Sequence, residues 1–169
     1  MAEFDINKVQ GNDRFIAGGA VLLLVVSFFP WYGVSYNGDS AFKGLGGGSA
    51  SAWHAYGWNK VAILLAVIAG GVVIARLMGA LDSVQLPAGI NLITLAVSAL
   101  ATLILLLRFS TAFKSFGGFH GHPSFGWYLG IMISGAMTYF AFLNFKRSGE
   151  QLPSKPASKP PAPGNPPGV

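Results

Sequence analysis

The chain has 169 residues, of which 52% are hydrophobic and only 10% are charged; the formal net charge is +5 and there is no cysteine. Soluble domains are about a quarter charged, so this composition builds a water-facing surface poorly and much of the surface must face lipid. The missing cysteines exclude disulfides, thiolate metal sites, cysteine nucleophiles and S-palmitoylation.

The first segment, residues 1–14, carries mixed charge in "MAEFDINKVQGNDR". The apolar run after it leads into proline and aromatics rather than a small-residue cleavage site, so it reads as a retained N-terminal segment and not a signal peptide. A helix needs about 20 apolar residues to cross the hydrocarbon core. Four stretches fit that length or approach it, near residues 15–32, 58–78, 89–107 and 125–145. The fold class they predict is an all-α membrane protein: four transmembrane helices in an up-down bundle, occupying residues 15–147, with a disordered Pro-rich tail over 148–169.

Asn12 or Asp13 can cap the first span, and Arg14 can reach back to the headgroups. The span closes on "FPWY", residues 29–32. Pro30 removes a backbone donor and restricts Phe29, so the helix is expected to kink or stop there. Trp31 and Tyr32 then read as rings at the lipid–water boundary. An aromatic ligand or lipid pocket is the alternative reading of the same residues. Trp53, Tyr56 and Trp58 precede the second span, and Trp127 and Tyr128 open the fourth. With alternating spans all four tryptophans fall on one side. "GW" opens both the second and the fourth spans, a faint sign of duplication.

Seven Lys and Arg flank one side (Lys8, Arg14, Arg76, Lys146, Arg147, Lys155, Lys159) and four the other (Lys43, Lys60, Arg108, Lys114). The positive-inside rule places both termini in the cytoplasm of a plasma-membrane protein. The net charge is therefore topological, and no basic stripe with interleaved aromatics exists to track a nucleic acid. Small residues at close spacing, including Gly70 in the second span and Gly130, Ser134 and Thr138 in the fourth, suit close helix packing, within the chain or against a partner helix.

Chemistry-bearing residues are sparse. No carboxylate falls inside a span, which counts against ion pumping and proton-coupled transport. No serine has a histidine and an acid in a credible arrangement around it, and no enzyme activity is expected. Arg108, at the outer end of the third span, reads as a snorkelling side chain or a contact for anionic lipid. His54, His120 and His122 are the only histidines, all on the outer side. In an extended "FHGHP" loop the latter two would face one way, and with His54 they could hold Zn or Cu. The bland alternative is a solvated loop and no cofactor. The tail, rich in proline, cannot form a core and has polyproline II character; its two P-x-x-P patterns could dock on a partner or lie near anionic lipid.

The stretches "NDRFIAGGAVLLLVVSFFPWYGVS" (12–35), Trp53 to Trp58, and "GWYLGIMISGAMTYFAF" (126–142) resemble a loose family of uncharacterised small actinobacterial membrane proteins with four spans. The resemblance implies a multi-pass cell-membrane protein and supplies no activity or catalytic residues. The "FHGHP" loop and the proline tail depart from it. The function expected is that of a non-enzymatic accessory or scaffold subunit. It would contact membrane lipids and either other membrane proteins or further copies of itself. Metal or small-ligand binding on the outer aromatic and histidine face is the alternative, and a small oligomeric channel or transporter comes third.

Overall fold

The structure, a computed structural model, describes residues 11–36, 48–54, 57–81, 88–109, 113, 115–116 and 119–150. Four helices and a small sheet alternate along the chain. The helices are α1 (Gly11–Val26), α2 (Gly57–Leu77), α3 (Ile90–Phe109) and α4 (Phe125–Ser148). The strands are β1 (Pro30–Tyr36), β2 (Gly48–Ser51), β3 (Ser115–Phe116) and β4 (Phe119–Pro123). Each helix packs on its neighbours in sequence, and α1 also packs along α4, which closes the ring.

Among the described residues three helices, α2, α3 and α4, are long and apolar enough to cross a membrane. This corrects the expected fourth span. α1 has 16 residues, about 24 Å of helix against about 30 Å of hydrocarbon. Its stop has a local cause. Phe28 and Phe29 donate to carbonyls three residues back, which tightens the last turn. The Trp31 indole Nε1 donates to the Val26 carbonyl at 2.8 Å, a second bond on the acceptor that the Phe29 N–H also reaches. Pro30 and the residues after it then run as a strand.

That strand is the second correction: the protein is mostly helical but not all-α. The sheet order is β2-β1-β4-β3, and every neighbouring pair is antiparallel. β1 pairs with β4 from Tyr32↔Pro123 to Tyr36↔Phe119. It pairs with β2 through a register shift between Pro30 and Tyr32. The ladder pairs backbone groups of β1, β2, β3 and β4 with one another. Two further bonds tie it to the helices: Ala52 N–H to the Ser27 carbonyl, and Ser124 N–H to the Trp31 carbonyl. The sheet thus caps the end of the molecule where α1 and α3 finish and α2 and α4 begin.

The interior joins Ile16, Ala20 and Leu23 of α1 to Ile63 and Ala66 of α2, Leu105 of α3 and Met137 of α4, with Trp31 and Trp127 at the sheet end. Small residues set the helix spacing. A Cβ on Gly70 would collide with the Ala20 Cβ, so α2 and α1 approach at that level as only glycine permits. Thr102 and Thr138 join α3 to α4 through a 2.9 Å hydroxyl–hydroxyl hydrogen bond. Large side chains point outward from every helix, among them Leu22, Leu64, Leu103 and Met132. The proline-rich tail, together with Asp39 and Asp82, lies outside the described residues.

Candidate functional site

Two polar or aromatic clusters stand out, one at each end of the helices. At the sheet end Trp31 and Trp127 meet edge to face at 5.8 Å between ring centroids, and Tyr32 meets Trp127 in the same way at 4.9 Å. Trp31 and Trp127 are fully buried and Tyr32 nearly so. These three rings therefore form the upper core and are not at a lipid boundary, which corrects their reading as interfacial anchors. The cause is the strand: β1 pairs with β4 and packs on α4, which covers the rings.

Glycine makes the seat. A Cβ on Gly126 would lie 2.6 Å from Trp31 Cδ1, and one on Gly130 would lie 2.5 Å from Trp31 Cη2. Gly130 thus accommodates an indole from β1 and not another helix. The neighbouring Ser134 is buried and returns its hydroxyl to the Ile131 carbonyl. Tyr32 Oη accepts a 2.8 Å hydrogen bond from Asn59 Nδ2. Trp53 is half-buried and donates to Ser27 Oγ at 2.7 Å. Trp58 and Tyr128 are exposed, and exposed Phe28, Phe29 and Phe125 share that end with them. Tyr56 lies outside the described residues. The two "GW" starts thus have opposite environments: Trp58 is exposed and Trp127 buried.

The histidines share the sheet end without converging. His120 and His122 lie two apart on β4 and both are exposed, as the extended reading of "FHGHP" expects. The His122 imidazole lies across Gly33, its register partner on β1. His54 pairs its Nδ1 with Ser51 Oγ at 3.0 Å, beyond the end of β2. Among the described residues no group of three His, Cys, Asp or Glu is placed to hold a metal ion.

The opposite end holds a polar clasp. Asp13, in the first turn of α1, is 1% exposed and accepts a 2.6 Å hydrogen bond from Asn144 of α4. Arg76, in the last turn of α2, donates to Asn91 Oδ1 of α3 at 2.8 Å, and Asn91 Nδ2 donates to Glu150 Oε1 at 2.8 Å. Glu150 also accepts from the backbone N–H groups of Asn91 and Leu92. Its carboxylate therefore caps the positive end of α3. It reaches there because Gly149 ends α4 in the left-handed conformation, with φ of 67°.

Burial pushes the Asp13 carboxyl up from its ordinary value, while the charge of Arg76 and the bond from Asn144 pull the other way. Asp13 lies outside the three membrane-crossing helices. With its folded pKa raised, its contribution to stability is full below the unfolded value and is lost as pH rises through the folded one. Asp13→Asn keeps an acceptor for Asn144 and removes this dependence. As pH rises above about 4, the ordinary carboxylate range, the melting temperature in detergent should shift progressively in favour of the variant relative to the parent chain. A difference that does not change with pH would remove the account of Asp13.

The clasp was missed in the sequence, though a signal was there. Each helix carries one asparagine, Asn12, Asn59, Asn91 and Asn144, and all four are buried. An amide in an apolar helix needs a partner inside the protein. Among the described residues the two ends differ in their titratable groups. All three imidazoles are at the sheet end, and both described carboxylates, Asp13 and Glu150, are at the other. The length of α4, 24 residues or about 36 Å, separates them. No family model, curated protein or solved structure matches the chain.

Proposed function

We propose that this chain is a multi-pass protein of the plasma membrane acting as a non-enzymatic accessory or scaffold subunit. Both termini would face the cytoplasm and the sheet end the outside, with α1, too short to span alone, carried across against α2 and α4. The placement with the small actinobacterial membrane proteins belongs to the same proposal. The observation that carries it is a pair of outward-facing glycines. Gly18 of α1 and Gly71 of α2 are exposed, and a Cβ at either would meet nothing within 4 Å. Glycine costs a helix about 1 kcal/mol relative to alanine, and internal packing asks for it at neither position. A partner helix approaching closely would use both. The locked helix ends support a rigid platform. The proline-rich tail supplies a cytoplasmic contact.

The test is affinity purification in mild detergent with mass spectrometry, using an N-terminal tag. Three forms are compared: the full chain, a chain ending at Glu150, which keeps the α3 cap, and the Gly18→Leu, Gly71→Leu double variant. A stoichiometric partner, or a second copy, is expected with the first two and lost from the third while its melting temperature holds. If the full chain carries no stoichiometric partner and does not self-associate, the reading fails.

A further inference from the structure

α3 begins without a cap of its own. The Gly89 carbonyl accepts from the Ile93 N–H at 3.0 Å, which makes Gly89 the N-cap residue, and glycine has no side chain to offer. An N-cap side chain would serve the backbone donors of Asn91 and Leu92. Glu150 serves both, at 3.3 and 3.0 Å, from beyond the end of α4. Its carboxylate takes a third bond from Asn91 Nδ2 at 2.8 Å. Arg76 holds the oxygen of that amide at 2.8 Å, so the amide presents its nitrogen to the carboxylate. The seat also depends on the glycine: a Cβ on Gly89 would collide with the Glu150 carboxylate. The cap of α3 is thus borrowed from the end of another helix, and the borrowing ties the two ends together.

We infer that Glu150 is a releasable latch. Closed, it holds the chain just past α4 against the first turn of α3 and limits the access of other proteins to the residues that follow it. The latch is a single half-buried side chain, and water can replace its hydrogen bonds when it opens. Gly149, in the left-handed conformation beside it, supplies the pivot. Pro153, which starts the first P-x-x-P pattern, is only three residues on, at most about 10 Å of chain. A protein gripping that pattern needs room that the ends of α3 and α4 occupy while the latch is closed. That this end faces the cytoplasm rests on the orientation proposed above. The latch does not, and an experiment in detergent tests it separately.

The experiment is digestion of the full chain in detergent with a glutamate-specific endoproteinase, with release of residues 151–169 followed by mass spectrometry. The protease must take the Glu150 carboxylate into its own specificity pocket, so it cuts only the open latch. Glu3 is the one other glutamate, and cutting after it reports protease activity in each sample. Gly89→Ser puts a Cβ in the seat and a hydroxyl where it can cap Asn91 and Leu92. Gly89 has no positive φ, so serine suits its backbone, and the variant expels Glu150 while α3 stays capped. Asn91→Asp keeps an acceptor for Arg76 and turns the amide donor into a carboxylate that repels Glu150. Both variants should release 151–169 about tenfold faster than the parent chain, the scale of one charge-assisted hydrogen bond, because cleavage follows the open population. Cutting after Glu3 should not change. Either variant decides the matter if the other does not fold. Equal release by the parent chain and a folded variant would overturn the proposal.

Discussion

Trp31→Ala is expected to destabilise the protein by about 3–5 kcal/mol, the range for deleting a fully buried large aromatic side chain. The indole is 0% exposed, seats against Gly126 and Gly130, and closes the last turn of α1 through its bond to Val26. Its removal would leave a cavity between β1 and α4, take one of two donors from the Val26 carbonyl and loosen the sheet from the helices together. Trp58→Ala provides the contrast. That indole is 55% exposed, so its loss should cost under about 1 kcal/mol. Equilibrium unfolding in a fixed detergent would separate the two. Similar costs for both would mean that Trp31 is a surface ring and that the cap described here is not the folded state.

Gly70→Leu should be the second large effect, about 1–3 kcal/mol or somewhat more, as overpacking costs in a close-packed core. The neighbours at this position are the Ala20 Cβ and the backbone of Ile16 and Ala17, none of which can rotate away. α1 would have to move off α2, carrying with it Asp13, which sits near Arg76 and accepts from Asn144. Gly71→Leu, one residue on and facing open space, should leave the melting temperature within about a degree or two, since exposed substitutions shift stability little. If the two leucines are equally tolerated, α1 and α2 are not in contact at this level.

Much of the helical frame was legible in the sequence because it depends on length and apolarity alone. α2, α3 and α4 begin and end within a few residues of the expected spans. The cap was not legible. "PWYGVSY" continues an apolar run, and its pairing partners lie in β2 and β4, so the residues that make it a strand are distant in sequence. The same pairing turned Trp31, Tyr32 and Trp127 from boundary rings into core. The clasp was hidden for a related reason. Asp13 and Glu150 stand at the two ends of the helical region and look like flanking charges, yet each is drawn in by an amide from a different helix. Only Asn91 and Asn144, each the single amide of an apolar helix, pointed to it. At Arg108 the sequence supplied the charge; its place over the Trp58 ring, 5.7 Å from the centroid, needed the packing of α2 on α3.

The central claim is that helices cross a membrane between the sheet end and the clasp. The chain lacks native cysteine, so single cysteines report position cleanly. Ser49→Cys in β2 and Ser148→Cys at the end of α4 are both exposed positions. Labelling intact cells with a membrane-impermeant maleimide should modify the cysteine at 49 at once, and the one at 148 only after permeabilisation. Labelling of both from the same side would contradict a membrane lying between the two ends.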